Sequence, residues 1–182
     1  LVSDRVELVQ ERLTEVMASG ADLVISTGGM GPGKYDLVEE AFVRAGGRVI
    51  YRALNVRPGR ATLFGVLGKT LFFGLPGPPP AVRMLLNELV APALQVLQGV
   101  HASGPRSLRV RLGEALQLRS RGVCRLRGAV LELDRGECVV RSARSLESPS
   151  CYLVIPARRC RYRLGELITV HLPVSLFSDS VF

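Results

Sequence analysis

The sequence predicts an α/β protein in which a parallel-sheet domain is followed by a small antiparallel all-β domain. Three observations predict it. Residues 21–52 have the pattern of a strand, a glycine-rich loop, a helix and a second strand. Residues 70–99 repeat the passage from a strand through a glycine-containing loop into a helix, and beyond residue 107 apolar and polar residues alternate.

The first element is predicted at the very start of the chain. Leu1 and Val2 resemble the end of a strand, and Ser3 and Asp4 open a helix with apolar residues at helical spacing as far as Gly20. We therefore expect a preceding strand and helix that this chain lacks. Asp4 has two interpretations, as a helix cap together with a glutamate three residues later and as a functional carboxylate at the carboxyl end of a strand.

The segment 21–52 is the central unit. The apolar run 23–25 leads into the glycine loop, an amphipathic helix follows, and a β-branched pair at 49–50 marks the next strand. Such a unit implies a parallel pair with a right-handed crossover, and parallel α/β sheets bind ligands at the carboxyl ends of their strands.

The loop itself predicts an anion site. Gly28, Gly29, Gly31 and Gly33 permit positive φ, so several backbone N–H groups can face one phosphate-like group at the start of the helix. Two other interpretations remain open. Gly28, Gly33 and Lys34 fit a nucleoside triphosphate loop, although Tyr35 stands where a magnesium-binding Ser or Thr belongs. Alternatively, Asp36 and Glu39 have the spacing of a helix cap.

The following elements complete the first domain. Residues 55–60 form a turn with Arg57 and Arg60 on either side of a Pro-Gly pair, which suits an oxyanion or a solvated surface. Two short strands, 61–66 and 70–75, flank a hairpin turn. The second runs into a Leu-Pro-Gly loop with Pro76 and Gly77, and an apolar helix follows to Gly99. The two glycine loops are expected to line one crevice.

The residues after the linker 103–106 have the alternating pattern that is typical of a β domain. Apolar residues alternate with arginines at 108–112 and 124–127, a turn follows at 134–136, and further strands are predicted at 138–140, 152–155 and 166–172. We accordingly assign residues 1–103 to the α/β domain and 104–182 to the β domain.

Composition limits the possible functions. No apolar run reaches the length of a membrane span, no secretory signal opens the chain, and the four cysteines lack C-x-x-C spacing, so we expect a cytoplasmic protein without zinc. The net charge is +8, with fourteen basic and seven acidic residues after position 103. Because stacking aromatics are sparse, we expect a solvated arginine surface rather than a nucleic-acid partner.

Three motifs together carry a resemblance to a known family. Thr27-Gly-Gly-Met-Gly-Pro-Gly-Lys-Tyr-Asp36, then Arg57-Pro-Gly-Arg60, then Gly74-Leu-Pro-Gly77 resemble, in order and spacing, the molybdopterin molybdotransferases of the MoeA and gephyrin E-domain type. The resemblance covers about residues 1–100 and implies a MogA-like molybdopterin-binding domain before the small β domain. It also implies molybdenum cofactor biosynthesis, in which molybdate is inserted into adenylylated molybdopterin with release of AMP.

The resemblance further implies the site residues and partners. Asp36 and Asp4 would be catalytic and hold a divalent metal, usually Mg²⁺, while molybdate is a substrate. Molybdopterin or its adenylylated form would be bound by a larger set: Thr27, Gly28, Gly29, Gly31, Gly33, Lys34, Arg52, Arg57, Arg60, Pro76 and Gly77. The full-length protein would be a homodimer.

Two alternatives to the transferase remain. Pro78 stands where the family has an asparagine, and Lys34 where it usually has an acidic residue, which favours a non-catalytic molybdopterin-binding module. The glycine-and-aspartate motif and the Leu-Pro-Gly loop are also shared with molybdopterin adenylyltransferases and CinA-like proteins.

Overall fold

A computed structural model describes residues 5–30, 37–101, 104–118 and 122–173. The chain is organised in two compact units. The first comprises Leu1–Leu54 and Gly59–Leu85, and the second comprises Asn55–Pro58 and Leu86–Phe182. The predicted domain boundary between residues 103 and 104 divides the chain by sequence, whereas these units group residues that are close in space. The predicted boundary therefore stays a prediction.

The first unit contains three helices and four strands among its described residues. In chain order they are α1 (Val6–Ala18), β1 (Leu23–Thr27), α2 (Leu37–Arg44), β2 (Arg48–Tyr51), β4 (Leu63–Leu67), β5 (Thr70–Leu75) and α3 (Pro79–Leu85). The α/β class is thereby confirmed, and each of these elements overlaps a segment in which the sequence predicts an element of the same type.

The sheet order corrects one prediction. The order is β1-β5-β4-β2, with β1 parallel to β5 and the other pairs antiparallel. The strands β1 and β2 run in the same direction, but they are not the predicted parallel pair because the β4–β5 hairpin lies between them. The strand beside β1 is therefore β5, so two strands that both enter glycine-containing loops are neighbours.

Apolar side chains cover both faces of this sheet. On one face, α1 and α2 pack over the strands, and the Phe42 ring stacks on Phe72 with ring centroids 4.6 Å apart. Gly65 must lack a side chain because a Cβ there would lie 2.5 Å from the Phe42 ring. On the other face, Tyr51, Phe64 and Phe73 form a row of aromatic contacts. Burial raises the pKa of the Tyr51 phenol.

The second unit is built mainly from strands. They are β3 (Val56–Arg57), β6 (Ser107–Leu112), β7 (Leu116–Gln117), β8 (Cys124–Asp134), β9 (Glu137–Ser142), β10 (Cys151–Ile155), β11 (Arg161–Tyr162) and β12 (Leu167–His171). The order β10-β12-β6-β9-β8 closes on itself because β8 also pairs with β10. Most pairs are antiparallel as predicted, but β6–β9 and β3–β8 are parallel.

The core of this closed sheet is apolar. It includes Leu112, Val140, Leu153 and Val170, each almost fully buried. The four cysteines 124, 138, 151 and 160 are free thiols. Burial, the largest cause, raises the pKa of Cys151 to about 11. This thiol therefore belongs to the core rather than to a reactive site.

The long predicted helix has an interruption that periodicity does not reveal. It continues from α3 through a π-helical turn (Leu86–Val90) into α4 (Ala91–Leu97). Pro92 explains the turn, because it has no N–H to donate to the Glu88 carbonyl and its ring would crowd that carbonyl in an α-helix. Within the described residues, no helix is both long and apolar enough to cross a membrane.

Candidate functional site

The first glycine loop begins directly at the end of β1. Gly28 and Gly29 have φ angles of 87° and 66°, in the left-handed region that favours glycine. The Gly28 N–H donates to the Leu75 carbonyl at 3.0 Å, so it extends the β1–β5 pairing beyond Thr27. The predicted anion cradle must therefore take its amide donors from Gly29 onward, while Gly28 supplies the turn.

The second glycine loop lies beside the first. Thr27 and Leu75 are register partners at the ends of β1 and β5. A Cβ built on Gly77 would lie 3.8 Å from the Gly28 Cα, its nearest neighbour. The two loops are thus side by side, as the sequence predicts. Where they meet, at Gly28 and Gly77, neither residue has a side chain, so the two backbones face each other directly.

The start of α3 offers few hydrogen-bond donors. Residues 78–80 are prolines and have no N–H, and the next two amides, of Ala81 and Val82, both donate to the Pro78 carbonyl at 3.0 and 3.1 Å. A helix N-terminus usually attracts anions through its free amides. Here those amides are missing or occupied, so the second loop shapes the site but adds little to anion binding through its helix.

The predicted arginines differ in their surroundings. Arg52 forms an ion pair with Glu39 of α2 at 3.1 Å. Arg60 is exposed, and its carbonyl accepts the amides of Leu54 and Thr62, which fixes the turn that carries it. Arg57 belongs to the second unit, where it pairs with Arg125 in the β3–β8 register. Its predicted role stays a prediction.

The sequence did not reveal that the turn before Arg60 is closely packed against a helix side chain. Gly59 has a φ of 101°, and a Cβ there would lie 3.0 Å from the Leu85 side chain. The Thr62 hydroxyl donates to the Gly59 carbonyl and is buried. The Pro-Gly pair signals the turn, but only the structure shows the helix side chain against it.

Five predicted site residues lie outside the described residues: Asp4, Gly31, Gly33, Lys34 and Asp36. Both carboxylates of the predicted metal site are among them. Over the described ranges, no group of three or more His, Cys, Asp or Glu side chains could hold a metal ion. The metal site therefore stays a prediction that rests on Asp4 and Asp36.

Comparison with known proteins identifies similar sequences. Residues 1–96 match the family model described as "Probable molybdopterin binding domain". A molybdopterin molybdenumtransferase of Nostoc sp. is 30% identical over 125 residues, which covers 67% of this chain and 28% of the relative. The Haemophilus influenzae protein of the same name is 27% identical over 170 residues, covering 84% and 40%.

Solved structures show the same fold. The molybdopterin biosynthesis MoeA protein of Pyrococcus horikoshii superposes with a TM-score of 0.74 at 22% identity, covering 94% of this chain and 42% of that one. A molybdenum cofactor biosynthesis protein of Pyrococcus furiosus gives 0.60 at 22% identity, covering 94% and 55%. The chain thus spans well under two thirds of these relatives.

Proposed function

The chain belongs to the molybdopterin-binding domain family, with MoeA-type relatives over part of its length, and from this we propose that it binds adenylylated molybdopterin and inserts molybdate with release of AMP. Molybdenum cofactor biosynthesis is the process to which its relatives belong. In this proposal residues 1–103 are the MogA-like binding domain, and residues 104–182 are the small β domain that follows it in a cytoplasmic, homodimeric full-length protein.

One observation carries the proposal. Two neighbouring parallel strands, β1 and β5, end in glycine loops that approach each other without side chains, at Gly28 and Gly77. The carboxyl end of a parallel sheet is where α/β proteins bind ligands, and glycine backbone permits close approach to a phosphate. This geometry supports a phosphate-bearing ligand at the first loop.

The proposal gives each group a task. Amides from Gly29 onward, with Gly31, Gly33 and Lys34, hold the pterin phosphate, and Thr27 contributes a hydroxyl at the strand end. Pro76 and Gly77 form the opposite wall. Arg60 neutralises the negative charge of an oxyanion that reaches it from solution, since a guanidinium binds such a group in a planar, bidentate manner. Arg52, paired with Glu39, acts mainly by holding α2 to the segment after β2.

Asp36 and Asp4 are the proposed ligands of a divalent metal. Their carboxylate oxygens are the donors that Mg²⁺ prefers, and the ion would neutralise charge on the phosphate.

Substitution of Gly29 tests the proposed cradle. Gly29→Val is expected to weaken molybdopterin binding at least about 100-fold in calorimetry, since a β-branched residue is a genuine outlier at positive φ and the amides would turn away. Gly20→Val is the control, because Gly20 also has a positive φ, of 74°, but lies after α1 with nothing within 4 Å of a Cβ. Equal affinities for the two variants would refute the cradle.

A non-catalytic binding module is the second candidate. The three prolines at 78–80 remove donors from the wall opposite the cradle, which favours binding without turnover. Pterin binding and AMP release, measured for the unaltered chain and for Asp36→Asn, decide between the candidates. If the chain is a transferase, the variant retains pterin binding but loses metal-dependent AMP release from adenylylated molybdopterin. If the unaltered chain binds the pterin but releases no AMP even with Mg²⁺ and molybdate, the binding module is correct.

A further inference from the structure

Met30 is an apolar side chain in the middle of the glycine loop, yet it is only 6% exposed. Loops normally lie on the surface, and their side chains are seldom part of a core. Met30 belongs to the apolar cluster of the first unit, together with Val38, Phe42, Leu63 and Phe72. The side chain of Met30, directly after the two positive-φ glycines, therefore anchors the loop in the apolar core of the first unit.

The thioether of Met30 occupies the space that a side chain at position 74 would take. A Cβ built on Gly74 would lie 2.9 Å from the Met30 Sδ and 3.3 Å from the Leu63 Cβ. Gly74 lies in β5, one residue before Leu75, whose carbonyl accepts the Gly28 amide. The first loop is thus linked to the end of β5 twice, by a backbone hydrogen bond at Gly28 and by side-chain packing at Met30.

These two links leave the intervening backbone little freedom. Gly29 lies between a residue bonded to β5 and a residue packed on β5, so the direction of its amide depends on both. Donors that bind an anion tightly must be held close to the productive geometry by residues that do not touch the ligand.

Resting on the proposed function, we propose that Met30 is a positioning residue: its thioether, packed against Gly74, sets the direction of the Gly29 amide and hence the contribution of that amide to the affinity for the pterin phosphate. A methionine that merely filled the core would affect stability alone.

Met84 provides a matched control for this proposal. It is also a methionine of the first unit, it is 1% exposed, and it lies in α3 rather than in the loop. Met30→Ala and Met84→Ala each remove a buried side chain, so both are expected to lower stability. Met30→Leu conserves volume and is expected to retain binding.

The experiment uses the whole chain and two readouts. Calorimetry measures the Kd for molybdopterin, and NMR measures hydrogen exchange of the Gly28 amide. Met30→Ala is expected to weaken binding about tenfold or more and to accelerate exchange at Gly28, while Met84→Ala changes binding less than about threefold. Gly74→Ala, which displaces the thioether, is expected to weaken binding as well. The double variant Met30→Ala/Gly74→Ala is expected to bind no more weakly than the weaker-binding of the two single variants.

Two results have distinct consequences. If Met30→Ala binds as tightly as the unaltered chain, and its Gly28 amide exchanges no faster than in Met84→Ala, Met30 is a core residue only and the inference is wrong. If the unaltered chain fails to bind molybdopterin, the proposed function is wrong, and the exchange rates alone decide whether Met30 positions the loop.

Discussion

The Glu147 carboxylate, in the second unit, accepts hydrogen bonds from a side chain and from the backbone. It accepts two hydrogen bonds from the Arg141 guanidinium, at 2.7 and 2.8 Å, and one from the Arg144 amide at 2.8 Å. The Arg141 hydrogen bonds chiefly, and then the Arg144 amide, lower the pKa of Glu147 to about 2. The pair fixes the connection between β9 and β10 as a bidentate clamp.

This lowered pKa predicts how the clamp responds to acid. Because Glu147 binds its proton less readily in the folded state, its contribution is fully present above its ordinary pKa of 4.5 and is lost as the pH falls through about 2. Glu147→Gln should therefore be less stable than the unaltered chain at pH 7, with a difference that shrinks below pH 4.5.

Urea unfolding at a series of pH values measures that difference. Glu137→Gln is the control, because Glu137 is 73% exposed and reaches Arg111 only at 4.0 Å. It should change stability little at any pH. A Glu147→Gln difference that stayed constant down to pH 2 would contradict the clamp.

At the scale of elements, the π-helical turn presents a carboxylate to the closed sheet. The Glu88 Oε2 lies 2.8 Å from the His171 Nδ1 on β12, with the two side chains 11% and 23% exposed, and the Asn87 amide donates to the other oxygen. Burial, and then the charge of Glu88, raise the pKa of the Cys124 thiol. The turn caused by Pro92 therefore holds the helix to the strands within the second unit.

Removing this contact should cost measurable stability. Glu88→Gln is expected to lower the free energy of unfolding by about 1–3 kcal/mol, since it replaces the mostly buried carboxylate that is hydrogen-bonded to His171 and Asn87. Glu7→Gln, whose carboxylate is 66% exposed and 3.9 Å from Arg44, should change it by less than about 0.5 kcal/mol. Denaturant unfolding compares the two, and equal effects would show that the Glu88–His171 pair holds nothing in place.

For the whole molecule, the positions of the helices and strands could be predicted from local sequence patterns better than the pairing of the strands. Every long element was predictable, because each follows from periodicity, glycine and proline over a few residues. The separation of β1 from β2 was not, because it depends on a hairpin inserted from later in the chain. The two-residue strand β3 has too little pattern to detect, and the π-helical turn needs the steric effect of Pro92.

The candidate site shows the same division. The glycine loops were predictable as neighbours, because the carboxyl ends of parallel strands share one edge of a sheet. The burial of Met30, the use of the Gly28 amide within the sheet and the Arg52–Glu39 pair were not, since each depends on which distant residue lies opposite.

The closure of the second unit's sheet through β8 has a consequence for association. In the ring β10-β12-β6-β9-β8 every strand has a neighbouring strand on both sides, so none of these strands is the edge strand of an open sheet. Among the residues of the first unit that the structure describes, the sheet instead ends at β1 and β2. Edge-to-edge aggregation during refolding should therefore begin at β1 or β2 and spare the ring.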